Sequence, residues 1–453
     1  MSEAFPQKFI LGAATSAYQI EGGVDLDGRG PSIWDTFAAQ PGKIVDGTDG
    51  RNACEHYLRY PEDVALMRWL GLHAYRFSVA WPRVLPRGRG AVNQRGLDFY
   101  ERLVDALLAE NIAPFLTLYH WDLPQALHER GGWTVRDTAE AFADYAEVVA
   151  RRLGDRVQHW ITHNEPWCTA MHGYVNGAHA PGHRDWPEGL VAAHHVLLSH
   201  GLAVPRIRAH APKAEVGITL NLTHCEPASD SAADRDACRM MDGTYNRWYL
   251  DPLHGRGYPE DVVRDHVKLG RIDADLPFVR EGDLSIIAVP TDMLGINYYT
   301  RDRVAADEHG LPRKEAAQRE LTDIGWEVYP NGLSTLLIRL HETYAPPRIY
   351  ITENGAAFHS APDAGGHIHD VARQRYLHGH LLATLEAARA GVPVAGYFVW
   401  SLLDNYEWAE GYTQRFGIVW VDYATQQRLP KDSAYWYRAV IREHALHEPN
   451  ARA

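Results

Sequence analysis

The stretch WITHNEP at residues 160–166 decides the fold, and the stretch IYITENG at residues 349–355 has the same character. Each opens with an apolar run rich in β-branched and aromatic residues, which predicts a short buried strand. Each run stops at a carboxylate, Glu165 or Glu353, beside turn-forming residues. Either glutamate alone could simply belong to a turn. A carboxylate at the tip of a buried strand is costly unless it is paired or used in chemistry, so the two together predict one site at the mouth of a barrel.

Apolar runs alternate with amphipathic stretches along the whole chain, and each run is predicted to form a strand. The predicted strands are 9–15, 74–79, 114–119, 160–163, 216–221, 293–298, 348–353 and 394–400. The predicted helices are 61–70, with Pro61 in its first turn, 93–110, 137–153 and 333–344. This alternation favours a parallel barrel over a sandwich. We expect one domain over residues 1–453, with the charged stretch 301–325 as a loop or hairpin insertion over one barrel face.

Bulk composition excludes several classes of function. The formal net charge of −13 over 453 residues argues against nucleic acid and against anionic membrane surfaces. The four cysteines form no Cys-x-x-Cys pair, so neither a disulfide framework nor a cysteine-rich zinc site is expected. We find no signal peptide and no run long enough to span a membrane, and we expect a cytoplasmic protein.

Polar and aromatic residues follow the predicted strands, at the end where such barrels place their reactive groups. Sugars present hydroxyl groups beside apolar C–H faces, so a sugar site combines amides and carboxylates with flat aromatic rings. The residues at these ends include Gln19, Arg76, His120, Trp121, Asn164, Glu165, Asn297, Tyr299, Glu353, Trp400, Glu407 and Trp408.

These motifs resemble the family 1 glycoside hydrolases, the β-glucosidase and β-galactosidase group. The resemblance covers residues 9–437 and implies an α/β fold, a (β/α)8 TIM barrel with elaborated βα loops at its C-terminal face. It also implies hydrolysis with net retention of anomeric configuration. Glu165 would be the general acid and then the general base, and Glu353 would be the nucleophile. Arg76 and Tyr299 resemble the family residues that contact the nucleophile, and Asn297 is expected to support it as well.

The same resemblance assigns the remaining site residues. The non-reducing sugar would be held by Gln19, His120, Asn164, Tyr299, Glu407 and Trp408, above Trp400 as a stacking floor. The entrance or aglycone side would be shaped by Trp121, Trp167, His179, Trp326 and Phe416. Glu407 indicates a neutral sugar, because an anion there would repel a 6-phosphate.

The sequence therefore predicts an exo-β-glycosidase, most simply a β-glucosidase, that acts on β-glucosides and short β-linked oligosaccharides, with β-galactosides and β-fucosides as further substrates. Alternatives are a 6-phospho-β-glycosidase, a transglycosylase, a barrel metallohydrolase and a non-catalytic sugar-binding barrel. Two histidine-rich patches occur, one of His367, His369, His378 and His380 and the other of His194, His195 and His200. Neither has carboxylates at ligand spacing, so we expect no metal and no cofactor. The oligomeric state stays open, a homodimer included.

Overall fold

The computed structural model describes residues 3–449, and its centre is a closed barrel of parallel strands. The barrel strands are β1 (Ile10–Ala14), β2 (Ala74–Ser78), β3 (Ala113–Tyr119), β4 (His159–Asn164), β5 (Glu215–Asn221), β6 (Met293–Asn297), β7 (Ile349–Asn354) and β8 (Val394–Trp400). Neighbours in sequence are neighbours in the barrel, and β8 pairs with β1 to close it. All eight predicted strands are confirmed, each end within one residue. The predicted TIM barrel is thus the observed fold.

Nine longer helices lie in the described part of the chain. They are α1 (His56–Leu70), α2 (Gln94–Ala109), α3 (Arg136–Leu153), α4 (Trp186–His210), α5 (Ala232–Asp242), α6 (Glu260–Lys268), α7 (Pro330–Tyr344), α8 (Val371–Arg389) and α9 (Asp432–Glu443). The predicted start of α1 is wrong, since Pro61 lies inside that helix. A buried hydrogen bond of 2.7 Å between His56 and Asp63 holds the additional N-terminal turn.

Shorter elements build the loops. They are the helical segments Ala17–Ile20, Ile33–Ala38, Trp81–Val84, Gln125–His128, Gly132–Thr134, Cys168–Val175, Gly243–Arg247, Trp248–Leu253, Asp283–Ile287 and Trp408–Glu410. Two small antiparallel pairs join Glu3–Ala4 to Ala445–Leu446 and Val419–Val421 to Arg428–Pro430. The stretch 301–325 contains a hairpin, as predicted: Arg301–Ala306 pairs with Pro312–Lys314 and also with His224–Pro227.

The ends of β7 and β8 approach each other closely at the mouth of the barrel. A Cβ added to Gly355 would lie 1.6 Å from the Trp400 carbonyl oxygen, so only glycine fits after Asn354. The chain can therefore leave β7 in close contact with the backbone of Trp400, the last residue of β8. Across residues 3–449, no helix is both long and apolar enough to cross a membrane.

Candidate active site

Local irregularities in two strands aim the two glutamates into the barrel mouth. The register of β4 against β5 shifts between Ile161 and Asn164, and that of β7 against β6 shifts between Ile351 and Glu353. Bulges of this kind re-aim side chains and are common beside active sites. Glu165 also has a left-handed backbone, with φ of 51°, although it is not a glycine. Such conformations cluster at functional positions.

Both glutamates line one cavity of about 590 Å³. Its walls include nearly all the residues that the sequence places at the site: His120, Trp121, Trp167, His179, Asn297, Tyr299, Trp326, Trp400, Glu407, Trp408 and Phe416. Gln19, Arg76 and Asn164 are fully buried and contact the cavity-lining residues Glu407, Glu353 and His120, respectively. The two predicted catalytic carboxyls and the aromatic rings around them therefore share one pocket.

Glu353 is paired with a buried cation. Arg76 donates to Glu353 Oε1 at 2.5 Å, and the Tyr299 hydroxyl donates to Oε2 at 2.7 Å. Burial raises the pKa of Glu353, and these two donors act against that rise. Because each carboxylate oxygen receives a strong donor, this carboxyl is the better stabilised anion of the two.

Glu165 forms no ion pair with any residue in the described range 3–449. Asn297 donates to its Oε1 at 2.7 Å and the Cys168 thiol to its Oε2 at 3.0 Å. Burial and the charge of Glu353 raise the pKa of Glu165 to about 7. Glu165 can therefore hold a proton near neutral pH while Glu353 stays charged. A general acid must be protonated and a nucleophilic carboxylate ionised, so the two carboxyls suit these two roles.

Asn297 interacts with both carboxyls, that of Glu165 as well as that of the predicted nucleophile Glu353. Besides its bond to Glu165, its amide lowers the pKa of Glu353. Its carbonyl accepts from the Thr352 hydroxyl at 2.8 Å, which fixes which end of the amide faces the glutamates. Its predicted supporting role therefore extends to Glu165.

Asn164 and His120 form a second buried network. Asn164 Oδ1 accepts from Arg76 at 2.6 Å, and its amide nitrogen lies 3.0 Å from His120 Nε2. Burial and the Arg76 charge hold the pKa of His120 well below its usual range, so its ring is neutral. With Nε2 accepting from Asn164, Nδ1 carries the hydrogen, and this buried atom has no hydrogen-bond partner among residues 3–449. The His120 ring itself lines the cavity.

A third carboxyl, that of Glu407, also lines the cavity and lies close to the buried Gln19. Gln19 Nε2 lies 3.4 Å from Glu407 Oε2 and also donates to the Tyr406 carbonyl at 3.0 Å. Burial and the nearby charges of Glu353 and Glu165 raise the pKa of Glu407 to about 8. Glu407 therefore ionises less readily than an ordinary glutamate, so it would repel a phosphate less than a fully charged carboxylate would.

Aromatic rings form the walls on both sides of the glutamates. His120 stacks on Trp400 and Trp408, with ring centroids 5.7 and 5.9 Å apart. Trp121 contacts Trp408 at 4.6 Å and donates from its ring nitrogen to the Asn164 carbonyl. Trp326 and Phe416, which the sequence places at the entrance, contact each other and the ring of Tyr299. Flat apolar surfaces of this kind suit the C–H faces of a sugar ring.

One wall of the cavity is formed by residues that the sequence did not place at the site. Cys168, Asn221 and Tyr245 line it beside Trp167, whose ring contacts that of Tyr245 at 4.2 Å. The hairpin formed by Arg301–Ala306 and Pro312–Lys314 adds charged side chains farther out. Cys168 follows Glu165 by three residues, a spacing that would bring the two side chains together if a helix began at Glu165.

The described residues contain no group of three or more histidine, cysteine, aspartate or glutamate side chains placed to hold a metal ion. All four cysteines are free thiols. The cavity brings together the two carboxyls, of which Glu353 has the stronger hydrogen-bond donors, with amide, phenol, imidazole and indole groups around them.

Comparison with known proteins agrees with this geometry. The sequence profile of glycosyl hydrolase family 1 matches residues 1–446. The chain is 45% identical over 448 residues to beta-glucosidase A of Thermotoga maritima, covering 98% of this chain and 99% of that protein. It is 42% identical to the bifunctional beta-D-glucosidase/beta-D-fucosidase of Bifidobacterium breve, covering 98% of this chain and 100% of that protein. The chain belongs to glycosyl hydrolase family 1.

Solved structures agree as well. The AHE enzyme of Alicyclobacillus herbarius superposes with a TM-score of 0.94 at 51% identity, covering 98% of this chain and 99% of that one. The barrel and its decorations are thus shared with an enzyme of nearly the same length.

Proposed function

We propose that this protein is a retaining β-glucosidase that removes terminal non-reducing β-D-glucosyl residues from β-glucosides and short β-linked oligosaccharides. The observation that carries the proposal is the electrostatic contrast between the two carboxyls of one cavity. Glu353 accepts from Arg76 and Tyr299, whereas Glu165 accepts from the neutral groups of Asn297 and Cys168 and has a pKa raised to about 7. The names of the relatives in Thermotoga maritima and Bifidobacterium breve support the same substrate class.

In the first step Glu353 attacks the anomeric carbon and the bond to the leaving oxygen breaks. Glu165 gives its proton to that oxygen, so the aglycone departs as a neutral alcohol and the sugar is joined to Glu353. In the second step Glu165 takes a proton from water, whose oxygen bonds to the anomeric carbon as the bond to Glu353 breaks. Two inversions give net retention.

The sugar is held by the polar groups around the carboxyls. His120, whose ring lines the cavity, contacts one hydroxyl, and Glu407 with Gln19 binds hydroxyls at the far end of the ring. Asn164 lies beside Glu165 and binds the 2-hydroxyl through an interaction that strengthens toward the transition state. Trp400 supports the ring face. Several hydroxyl patterns can satisfy these groups, and we extend the proposed substrates to β-fucosides and β-galactosides.

Three assignments rest on the sequence alone and stay predictions: a single catalytic domain over residues 1–453, a cytoplasmic location, and activity without a cofactor. Transglycosylation uses the same covalent intermediate, with an acceptor hydroxyl in place of water. Product analysis at rising acceptor concentration separates it from hydrolysis.

Hydrolysis of 4-nitrophenyl β-glucoside by the wild type, Glu353→Gly and Glu165→Ala tests the proposal. We expect Glu353→Gly to lose hydrolysis, because no other group can attack the anomeric carbon. Glu165→Ala should retain more activity on substrates with good leaving groups, and added azide should restore turnover since an anion needs no general base. Glu260→Gln, at an exposed carboxyl of α6, is the control. Unimpaired hydrolysis by Glu353→Gly would contradict the proposal.

A further inference from the structure

Cys168 is the thiol nearest to the proposed acid and base. It begins the segment Cys168–Val175, whose turns are wider than those of an α-helix, a feature often found at functional sites. The Thr169 amide donates to the Glu165 carbonyl at 3.2 Å, so the first turn closes directly onto Glu165. This turn brings the Cys168 side chain back over the Glu165 carboxyl.

The contact between them is a hydrogen bond from sulfur to oxygen. Cys168 Sγ lies 3.0 Å from Glu165 Oε2, while the other carboxyl oxygen accepts from Asn297. Burial and the charge of Glu165 raise the pKa of the Cys168 thiol well above its usual range. The thiol is therefore neutral, and a neutral thiol can donate its hydrogen to the carboxylate.

A third residue, Asn221 at the end of β5, also contacts the thiol. Its amide nitrogen lies 3.5 Å from Cys168 Sγ and donates to the Tyr245 hydroxyl at 2.9 Å. An ionised carboxylate only accepts hydrogen bonds, so the contact between Cys168 and ionised Glu165 is a donation from the thiol. All four of these side chains line the cavity.

We propose that Cys168 is a positioning residue whose thiol holds the Glu165 carboxyl through Oε2 and favours the ionised form that must act as a base in the second step. This inference rests on the proposed function. Once Glu165 has given its proton to the leaving group, the thiol bond strengthens because its acceptor is now charged. The thiol keeps its own hydrogen throughout, so the proton taken from water goes to Glu165 as the bond to Glu353 breaks.

A cysteine that served only as a packing residue would not affect the titration of Glu165, whereas a hydrogen-bond donor to its carboxyl would. Cys168→Ala removes the donor, whereas Cys168→Ser keeps one at the same place. Cys238→Ala removes a buried thiol from α5, and no contact links that thiol to Glu165. Thermal unfolding of all three variants verifies that they are folded.

The test is titration of the Glu165 carboxyl by ¹³C NMR in glutamate-labelled protein, identified by difference from Glu165→Gln, together with the pH profile of kcat/KM. We expect Cys168→Ala to move the Glu165 titration and the basic limb of the profile to higher pH by about 0.5 to 1 unit. Cys168→Ser and Cys238→Ala should stay close to the wild type.

An unmoved titration in Cys168→Ala overturns the role of the thiol, and so does an equal shift in Cys168→Ser. The NMR arm needs no turnover, so it decides the inference even if aryl glucosides are not hydrolysed. Absence of hydrolysis by the wild type would instead count against the proposed function, and the two failures are therefore distinguishable.

Discussion

Tyr299→Phe isolates one hydrogen bond to the proposed nucleophile. The hydroxyl of Tyr299 donates to Glu353 Oε2 at 2.7 Å, and phenylalanine retains the ring that contacts Trp326 and Phe416. A hydrogen bond to a charged group is worth about 1.5 to 3 kcal/mol. One pH unit corresponds to about 1.36 kcal/mol, so we expect the acid limb of kcat/KM to move upward by about one to two units.

The sign follows from which form the bond stabilises. The hydroxyl lowers the pKa of Glu353, so its loss makes the carboxyl harder to ionise and activity falls first at low pH. The assay is the pH profile of kcat/KM on 4-nitrophenyl β-glucoside. Tyr298→Phe is the matched control, because that neighbouring hydroxyl donates to the Tyr329 carbonyl and not to Glu353. An acid limb that stays in place in Tyr299→Phe, or moves equally in Tyr298→Phe, would refute the reasoning.

Two further predictions concern sugar binding and stability. Glu407→Ala should lower kcat/KM on the aryl β-glucoside by about ten- to a hundredfold through loss of a polar contact to the sugar. The loss on the matching β-xyloside should be smaller, because that sugar lacks the 6-hydroxyl. Equal losses on both substrates would contradict the placement of Glu407 beside the 6-hydroxyl. Asp283 is buried against Arg136 and His194, and although burial raises its pKa, these partners bring it down to about 2. Asp283→Asn should therefore lower the free energy of unfolding by about 3 kcal/mol at pH 7. Urea titrations at several pH values measure the difference in free energy of unfolding between the wild type and Asp283→Asn. This difference should shrink below about pH 4, because the carboxyl of the unfolded wild type is then protonated and the wild type loses this stabilisation as pH falls toward the pKa of the folded state. A difference independent of pH would contradict the pairing.

The strands were predictable because their signal is local. Runs such as residues 349–355 are apolar, β-branched and short, and they stop at turn residues, so both existence and boundaries follow from the pattern. The start of α1 was not predictable in this way. The helix extends before Pro61 because His56 bonds to Asp63, a contact that only the folded helix brings together.

The residues of the candidate site also fall into those with a local sequence signal and those that only the fold brings together. Residues at strand ends were found, since parallel strands bring their ends to one mouth. Cys168, Asn221 and Tyr245 were missed because their meeting depends on the wide turns after Glu165 and on the loop after β5. The high pKa of Glu407 was missed for a related reason, because it depends on burial and on the carboxyls that the fold places nearby.

The central claim is that Glu353 forms a covalent bond to the sugar. Brief incubation with a 2-deoxy-2-fluoro-β-glucoside bearing a good leaving group, followed by mass spectrometry of the intact protein, tests this most directly. The account predicts a mass increase of one fluoroglucosyl unit, carried after digestion by the peptide that contains Glu353 and missing in Glu353→Gly. An adduct on another residue, or hydrolysis of the aryl glucoside with inverted configuration and no adduct, would contradict it.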